Sequence, residues 1–320
     1  MRRITFLTVV LFTGICCFGQ NNDVKVYVAG SYMDGVAPKA CYWVNEKIVP
    51  FDETERIEAI DVENGNVYVT GYHWYSSSHG RGYLFYYVNN EKKEVRGNRK
   101  YLAVDDIAAC NGKVYITGYT DGDYDEKENH ATWVDGTPVF DGGYKLTSSD
   151  GVIFSLIKYG ENYSENFQAY GQKAKLDGHA FGISTANGSI YIAGETDQDT
   201  PCYWIDGVKY DVPNMYGNSR LLDIAALRNG SVQAIGRTTN KDQNIYFYFC
   251  DGKYLDIPNA EYFKKIYAFK DKIYLLGAVK KGIIKVPCYW VLSEVEGGLG
   301  IEKVVPLPNA ASVCDILVTD

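Results

Sequence analysis

Two runs of alternate acids stand out in the sequence, Asp121-x-Asp123-x-Asp125 and Glu195-x-Asp197-x-Asp199. Alternate acids in one loop can turn their oxygens onto a single hard cation, as at the start of a calcium loop. The first run lacks Gly at the sixth place, which is Glu126, and Glu at the twelfth, which is Thr132. No cofactor is therefore expected, with calcium at these six acids as the exception to test. A second set combines exposed aromatics with polar neighbours: Tyr72, His73, Trp74, Tyr75, Tyr119 and Tyr124. Flat rings stack on sugar faces, and carboxylates accept hydrogen bonds from hydroxyls. A third set is Glu58, Asp106, Asp223 and Asp315, each near the start of a similar short run. If those runs surround an axis, their acids form a partial ring that can hold a polar ligand or a cation. The competing structural use is acceptance of backbone hydrogen bonds. There is no Gly-x-Ser-x-Gly elbow, phosphate loop, His-Glu-x-x-His or Cys-x-x-Cys.

The elements that must position these residues are repeats. Val26-Tyr27-Val28-Ala29-Gly30 returns as Val67-Tyr68-Val69-Thr70-Gly71, Val114-Tyr115-Ile116-Thr117-Gly118 and Ile190-Tyr191-Ile192-Ala193-Gly194, with weaker copies ending at Gly236 and Gly277. Each is followed by an aromatic run, such as Cys41-Tyr42-Trp43-Val44-Asn45 or Tyr203-Trp204-Ile205-Asp206-Gly207, mostly ending on a hairpin signal. A short run often closed by Pro comes next, as at Pro213 and Pro258, and Pro suits an edge strand. A small Ala-rich run, Asp106-Ile107-Ala108-Ala109 or Asp223-Ile224-Ala225-Ala226, precedes each new copy. One repeat is thus four short strands in about 43 residues, a β-propeller blade. The Ala-rich run is expected to be innermost (strand A), followed outward by B, C and D.

The fold class is therefore all-β, a propeller of seven four-stranded blades. The wide gap between Gly118 and Gly194 is filled by a worn copy with strand B near Val152 and strand C near Phe167. The alternative is six blades with an insertion over 145–180. The chain opens on strand B and finishes on a lone strand A, Val313 to Leu317, so the two termini are expected to share one blade. The long variable loops all join B to C and share a face with the D–A turns. Function on propellers concentrates on such a face.

Residues 1–19 read as a secretory signal peptide, with Arg2 and Arg3 before an apolar run and Gly19 at the cleavage position. Residues 20–320 are expected to be a single propeller domain, exported to the periplasm, the cell surface or the medium. Ile15 or Cys16 occupies the place where a lipoprotein signal wants a small residue, so lipid attachment at Cys16 or Cys17 is the less favoured reading. No later apolar run is long enough for a transmembrane helix. The net charge of −8 argues against broad binding to nucleic acid or anionic membranes. Residues 253–285 nevertheless carry eight Lys against three acids, which reads as a solvated basic sector. Cys41, Cys202 and Cys288 occupy a slot that another repeat fills with Ala131, which predicts small buried thiols, not disulfides.

Repeats of Val-Tyr-Val-Ala-Gly followed by Tyr-Trp-x-Asn-Gly resemble those of secreted, largely uncharacterised bacterial β-propeller proteins. The resemblance spans nearly all of 24–320. It implies the fold and export, and carries over no catalytic residues. The favoured function is non-enzymatic: binding a glycan, peptide or protein through the B–C loop face. One alternative is a carboxylate-dependent glycosidase or lyase with its acids at the channel mouth. Another is a scaffold within an envelope complex.

Overall fold

The computed structural model describes residues 24–51, 56–74, 82–96, 102–120, 129–139, 143–159, 164–169, 172–213, 218–240, 243–255, 257–295 and 298–320. The predicted signal peptide lies outside them. In chain order the strands are β1 (Lys25–Asp34), β2 (Ala37–Val44), β3 (Lys47–Pro50), β4 (Arg56–Glu63), β5 (Asn66–Trp74), β6 (Gly82–Val88), β7 (Glu91–Glu94), β8 (Leu102–Cys110), β9 (Lys113–Thr120) and β10 (Asn129–Val134). They continue as β11 (Thr137–Val139), β12 (Lys145–Ser149), β13 (Val152–Tyr159), β14 (Ser164–Ala169), β15 (Gln172–Lys175), β16 (His179–Ala186), β17 (Ser189–Glu195), β18 (Pro201–Ile205) and β19 (Val208–Asp211). The last nine are β20 (Asn218–Ala226), β21 (Val232–Asn240), β22 (Gln243–Cys250), β23 (Lys253–Leu255), β24 (Ala260–Phe269), β25 (Lys272–Lys281), β26 (Ile284–Val295), β27 (Gly298–Pro306) and β28 (Ala310–Thr319).

These strands form seven antiparallel four-stranded sheets. Blade 1 has the order β28-β1-β2-β3, so the C-terminal strand completes the N-terminal sheet, with Val26 opposite Val318. Blades 2 to 7 follow in sequence order, four strands each. Residues 145–180, the alternative insertion, supply the strands of blade 4 and enter blade 5. The first strands β4, β8, β12, β16, β20, β24 and β28 each touch the next, closing a ring around the axis. Among the described residues no helix is long and apolar enough to cross a membrane.

The core lies between blades. Apolar clusters join blades 7 and 1, 1 and 2, 2 and 3, 4 and 5, 5 and 6, and 6 and 7. The strand C tryptophans Trp43, Trp204 and Trp290 are sealed inside. Cys41, Cys202 and Cys288 are fully buried free thiols. Burial pushes the Cys202 and Cys288 thiols up to about 12, so they are inert as nucleophiles.

The repeat motif has a physical cause at two points. After strand C, Asn45, Asn89, Asp135, Asp206 and Asp251 adopt positive φ, the conformation that a two-residue hairpin turn needs. Each side-chain oxygen accepts the backbone N–H that opens strand B of its own blade, at Val26, Val67, Val114, Ile190 and Val232, at 2.7–2.9 Å. Each backbone N–H in turn donates to the carbonyl of that same strand B residue. The turn therefore clamps three strands at once.

The second point is the motif glycine. Strand A bulges where it passes this residue, and its backbone fills the space of a side chain. A Cβ on Gly71 would lie 1.9 Å from the Arg56 carbonyl oxygen. Gly71→Ala is accordingly expected to destabilise the protein by about 1–3 kcal/mol, because the obstacle is backbone. Urea unfolding followed by tryptophan fluorescence would measure it, and an unchanged midpoint would refute it.

Candidate axial site

One residue from each inner strand stands at a common level around the axis. Five of these follow the strand A bulge and pair with the residue before the motif glycine: Asp315, Ala59, Asp106, Asp223 and Lys265. Gly182 has the same place in β16, and Lys145 in β12. Reading around from blade 1, the ring is Asp315, Ala59, Asp106, Lys145, Gly182, Asp223, Lys265. It holds three acids and two lysines.

The acids strap neighbouring blades together. Asp106 Oδ2 accepts the N–H of Leu146 in the next blade at 3.1 Å. Asp223 does the same for Ile266, and Asp315 for Ile60, both at 3.1 Å. Asp106 and Asp315 also accept the N–H of the following residue, Ile107 and Ile316. The lysines supply counter-charge. Lys265 Nζ lies 4.0 Å from Asp223 and 3.9 Å from Asp315, and Lys145 Nζ lies 3.8 Å from Asp106. Burial pushes Asp223 above the usual carboxylate range and Asp315 up to about 6, while Lys265 pulls both back. Burial alone would lower Lys265, but Asp223 and Asp315 outweigh it and hold the ammonium well above its ordinary value. These acids sit mid-strand and buried, below the mouth where the sequence reading placed them.

Below the ring lies a cavity of about 130 Å³, reached by Asp61 and Tyr267 as well as the ring acids. Asp61 accepts N–H groups from Ala109 at 2.6 Å and Val62 at 2.8 Å. Above the ring, toward the B–C face, is a recess of about 290 Å³ lined by Glu58, Asp105, Lys145, Lys264, Tyr246 and Phe263. Glu58 is thus one residue nearer the mouth than the ring, whose slot in blade 2 is Ala59. It pairs with Arg56 at 2.7 Å, yet burial lifts its carboxyl above the usual range against Arg56 and Lys264. Asp105 Oδ2 lies 3.7 Å from His130 Nδ1. Cys314 also lines the recess, but burial raises its thiol far and its Sγ donates to the Ile57 carbonyl at 3.2 Å.

The other sequence candidates are dispersed. Tyr72 is buried between blades 2 and 3 with the Arg56 guanidinium over its ring. His73 is half-buried next to it in β5. Trp74 ends β5 and Tyr119 lies near the end of β9. Tyr75, Tyr124, Asp121, Asp123 and Asp125 lie outside the described residues. Glu195 is buried with Arg220 Nε at 3.3 Å, and burial raises its carboxyl. Asp197 instead lies 3.7 Å from His179 Nε2, and Asp199 sits in an exposed turn at positive φ. Among the described residues no three His, Cys, Asp or Glu side chains gather closely enough to hold a metal ion. Sequence reasoning missed Asp61, Asp105, Lys145, Lys264 and Lys265.

No family model matches the chain, and no curated protein matches it. Solved structures do resemble it. A hypothetical selenium-binding protein from Sulfolobus tokodaii is 10% identical, with 92% of this chain and 93% of that one covered and a TM-score of 0.54. An α-L-arabinofuranosidase from Clostridium thermocellum is 13% identical over 79% of this chain and 94% of that one, with a TM-score of 0.40. An exo-1,5-α-L-arabinanase from a bovine ruminal metagenomic library is 10% identical over 80% and 100%, with a TM-score of 0.36. At these identities, the likeness to the first supports the propeller fold and nothing finer.

Proposed function

We propose that this chain is an exported, non-enzymatic binding propeller whose ligand seat is the axial recess on the B–C face, and that the ligand is a hydroxyl-rich glycan. One observation carries the reading. The recess brings acids, lysines and aromatic rings onto a single concavity, while the ring acids beneath it are already engaged by backbone N–H groups and lysines. The floor is fixed and the upper layer is open to a ligand. Glu58 and Asp105 accept hydrogen bonds from hydroxyls, Lys264 donates to ring or hydroxyl oxygens, and Tyr246 offers an apolar face.

A glycan array with the purified protein tests this, beside Glu58→Gln and Lys264→Ala. Binding weakened about tenfold in either variant is expected, since each removes a charged hydrogen bond. Absence of wild-type binding on the array would sink the glycan reading. The raised Glu58 carboxyl, sharing the recess with Asp105, favours a second reading as a glycosidase or lyase. Release of reducing sugar by the wild type but not by Glu58→Gln would establish it.

A further inference from the structure

Two adjacent blades present the same apolar prong on the B–C face. In blade 1, β1 and β2 run from Gly30 opposite Cys41 to Asp34 opposite Ala37, and turn through Gly35 and Val36. In blade 7, β25 and β26 run from Gly277 opposite Cys288 to Lys281 opposite Ile284, and turn through Gly282 and Ile283. Length and register are identical. Gly35 and Gly282 both have positive φ, 68° and 63°, as the first position of this turn requires. The second position accepts a polar residue equally well, yet it holds Val36, 97% exposed, and Ile283, 100% exposed. Ile284 and Met33 on the stems are exposed too. Each prong is anchored to a D–A turn: Met33 N–H donates to the Asn309 carbonyl at 2.8 Å, and Lys280 N–H to that of Asn259 at 2.9 Å. Fully exposed β-branched tips contribute nothing to the folded core.

The stems are basic. Lys39, Lys280, Lys281 and Lys285 flank the tips, with Asp34 paired to Lys39 and Glu261 to Lys285 at 2.8 Å. The local balance stays positive on an otherwise acidic protein. We propose that these prongs dock the B–C face on an anionic lipid bilayer. The layering matches: lysines meet the headgroups and the apolar tips enter the acyl boundary. Two narrow projections suit a surface that parts around them. A folded protein partner would need two pockets at matching spacing. The overall negative charge opposes broad adsorption, which leaves contact confined to this sector. The proposal rests on residues other than those of the axial recess.

The test is co-sedimentation of the purified protein, collected after export, with vesicles of phosphatidylcholine alone or with about one-third phosphatidylglycerol. Binding to the anionic vesicles is expected, with little to the neutral ones. The double variant Val36→Ser, Ile283→Ser is expected to lose about tenfold or more of it, through lost apolar insertion. Lys280→Gln, Lys281→Gln is expected to lose severalfold and to flatten the salt dependence. All four sites are surface positions, so unchanged thermal unfolding confirms that folding is intact. No wild-type binding, equal binding to neutral vesicles, or binding unchanged in the serine variant would overturn the proposal. So would a serine-sensitive dimer in light scattering without vesicle binding.

Discussion

Lys265→Met is expected to lower the unfolding midpoint by roughly 5–8 °C. The ammonium is shared by Asp223 and Asp315, which lie on the two inner strands beside it. All three groups are largely withdrawn from water, and each acid also holds a backbone N–H of the next blade. Removing one partner of a buried ionic group leaves charge uncompensated, which typically costs about 3–5 kcal/mol. At about 2.1 cal/mol/K of unfolding entropy per residue, each kcal/mol moves the midpoint of a chain this long by about 1.6 °C. Methionine keeps most of the apolar stem, so packing loss is small. The pH dependence separates charge from packing. Without the lysine, Asp223 and Asp315 rise further and take up protons more readily, so the deficit should shrink between pH 7.5 and pH 5. Differential scanning calorimetry at both values measures it. A loss of equal size at both would assign Lys265 a packing role and refute the shared ion triad.

Much of the fold was legible because a propeller repeats its chemistry. The Asn or Asp after strand C, the glycine that closes the Val-Tyr-Val motif within strand B and the buried cysteine slot each answer a local constraint that recurs from blade to blade. Blade 4 was harder to read for the same reason. Ile157 stands in register where other blades have the glycine, so its strand B lacks the marker. The axial site was half legible. Asp106, Asp223 and Asp315 announced themselves through a shared Asp-Ile pair. Glu58 misled because it is the bulged residue of its strand, equivalent to Asp105 and Lys264, so the ring slot after it falls to Ala59. Lys145 and Lys265 went unseen because the ring mixes signs. A lysine at an acid's slot looks like a lost motif in sequence, whereas in three dimensions it supplies the neighbour's counter-charge. The strand pairing sets Phe263-Lys264-Lys265-Ile266 beside Leu221-Leu222-Asp223-Ile224, but counting back from the motif glycine does not, because blade 6 carries one extra residue in its A–B turn. The basic sector likewise divides once folded: Lys265 lies at the axis, while Lys280, Lys281 and Lys285 flank a hairpin tip.

The protein is expected to gain stability on mild acidification, the reverse of the usual trend for salt-bridged carboxylates. Asp61 lines the axial cavity beside Tyr267, with Asp315 and Asp106 close enough to repel it. Burial pushes its carboxyl up to about 6 from the ordinary 3.8, although Ala109 and Val62 N–H groups pull the other way. Between those values the folded chain holds a proton that the unfolded chain has released. The contribution is complete below about pH 4 and is lost as pH rises through about 6. Over the step from pH 7 to pH 5 this one group should add about 1–1.5 kcal/mol, since a tenfold difference in proton affinity between folded and unfolded chain is worth about 1.4 kcal/mol. Asp223 and Asp315, also raised by burial, act in the same direction. Glu261 and Glu302, lowered by Lys285 and Lys272, oppose it, but they lose their contribution only at lower pH, and solvent screens these half-exposed pairs. Urea unfolding at pH 7, 6 and 5 should therefore show midpoints that climb. In Asp61→Asn the climb should flatten, even though the protein is weaker throughout because the amide turns an N–H toward Ala109 or Val62. Midpoints that fall steadily from pH 7 to pH 5 in the wild type would mean that Asp61 is ionised at the axis at neutral pH without penalty. The cavity beside it would then have to be wet enough to solvate a full charge.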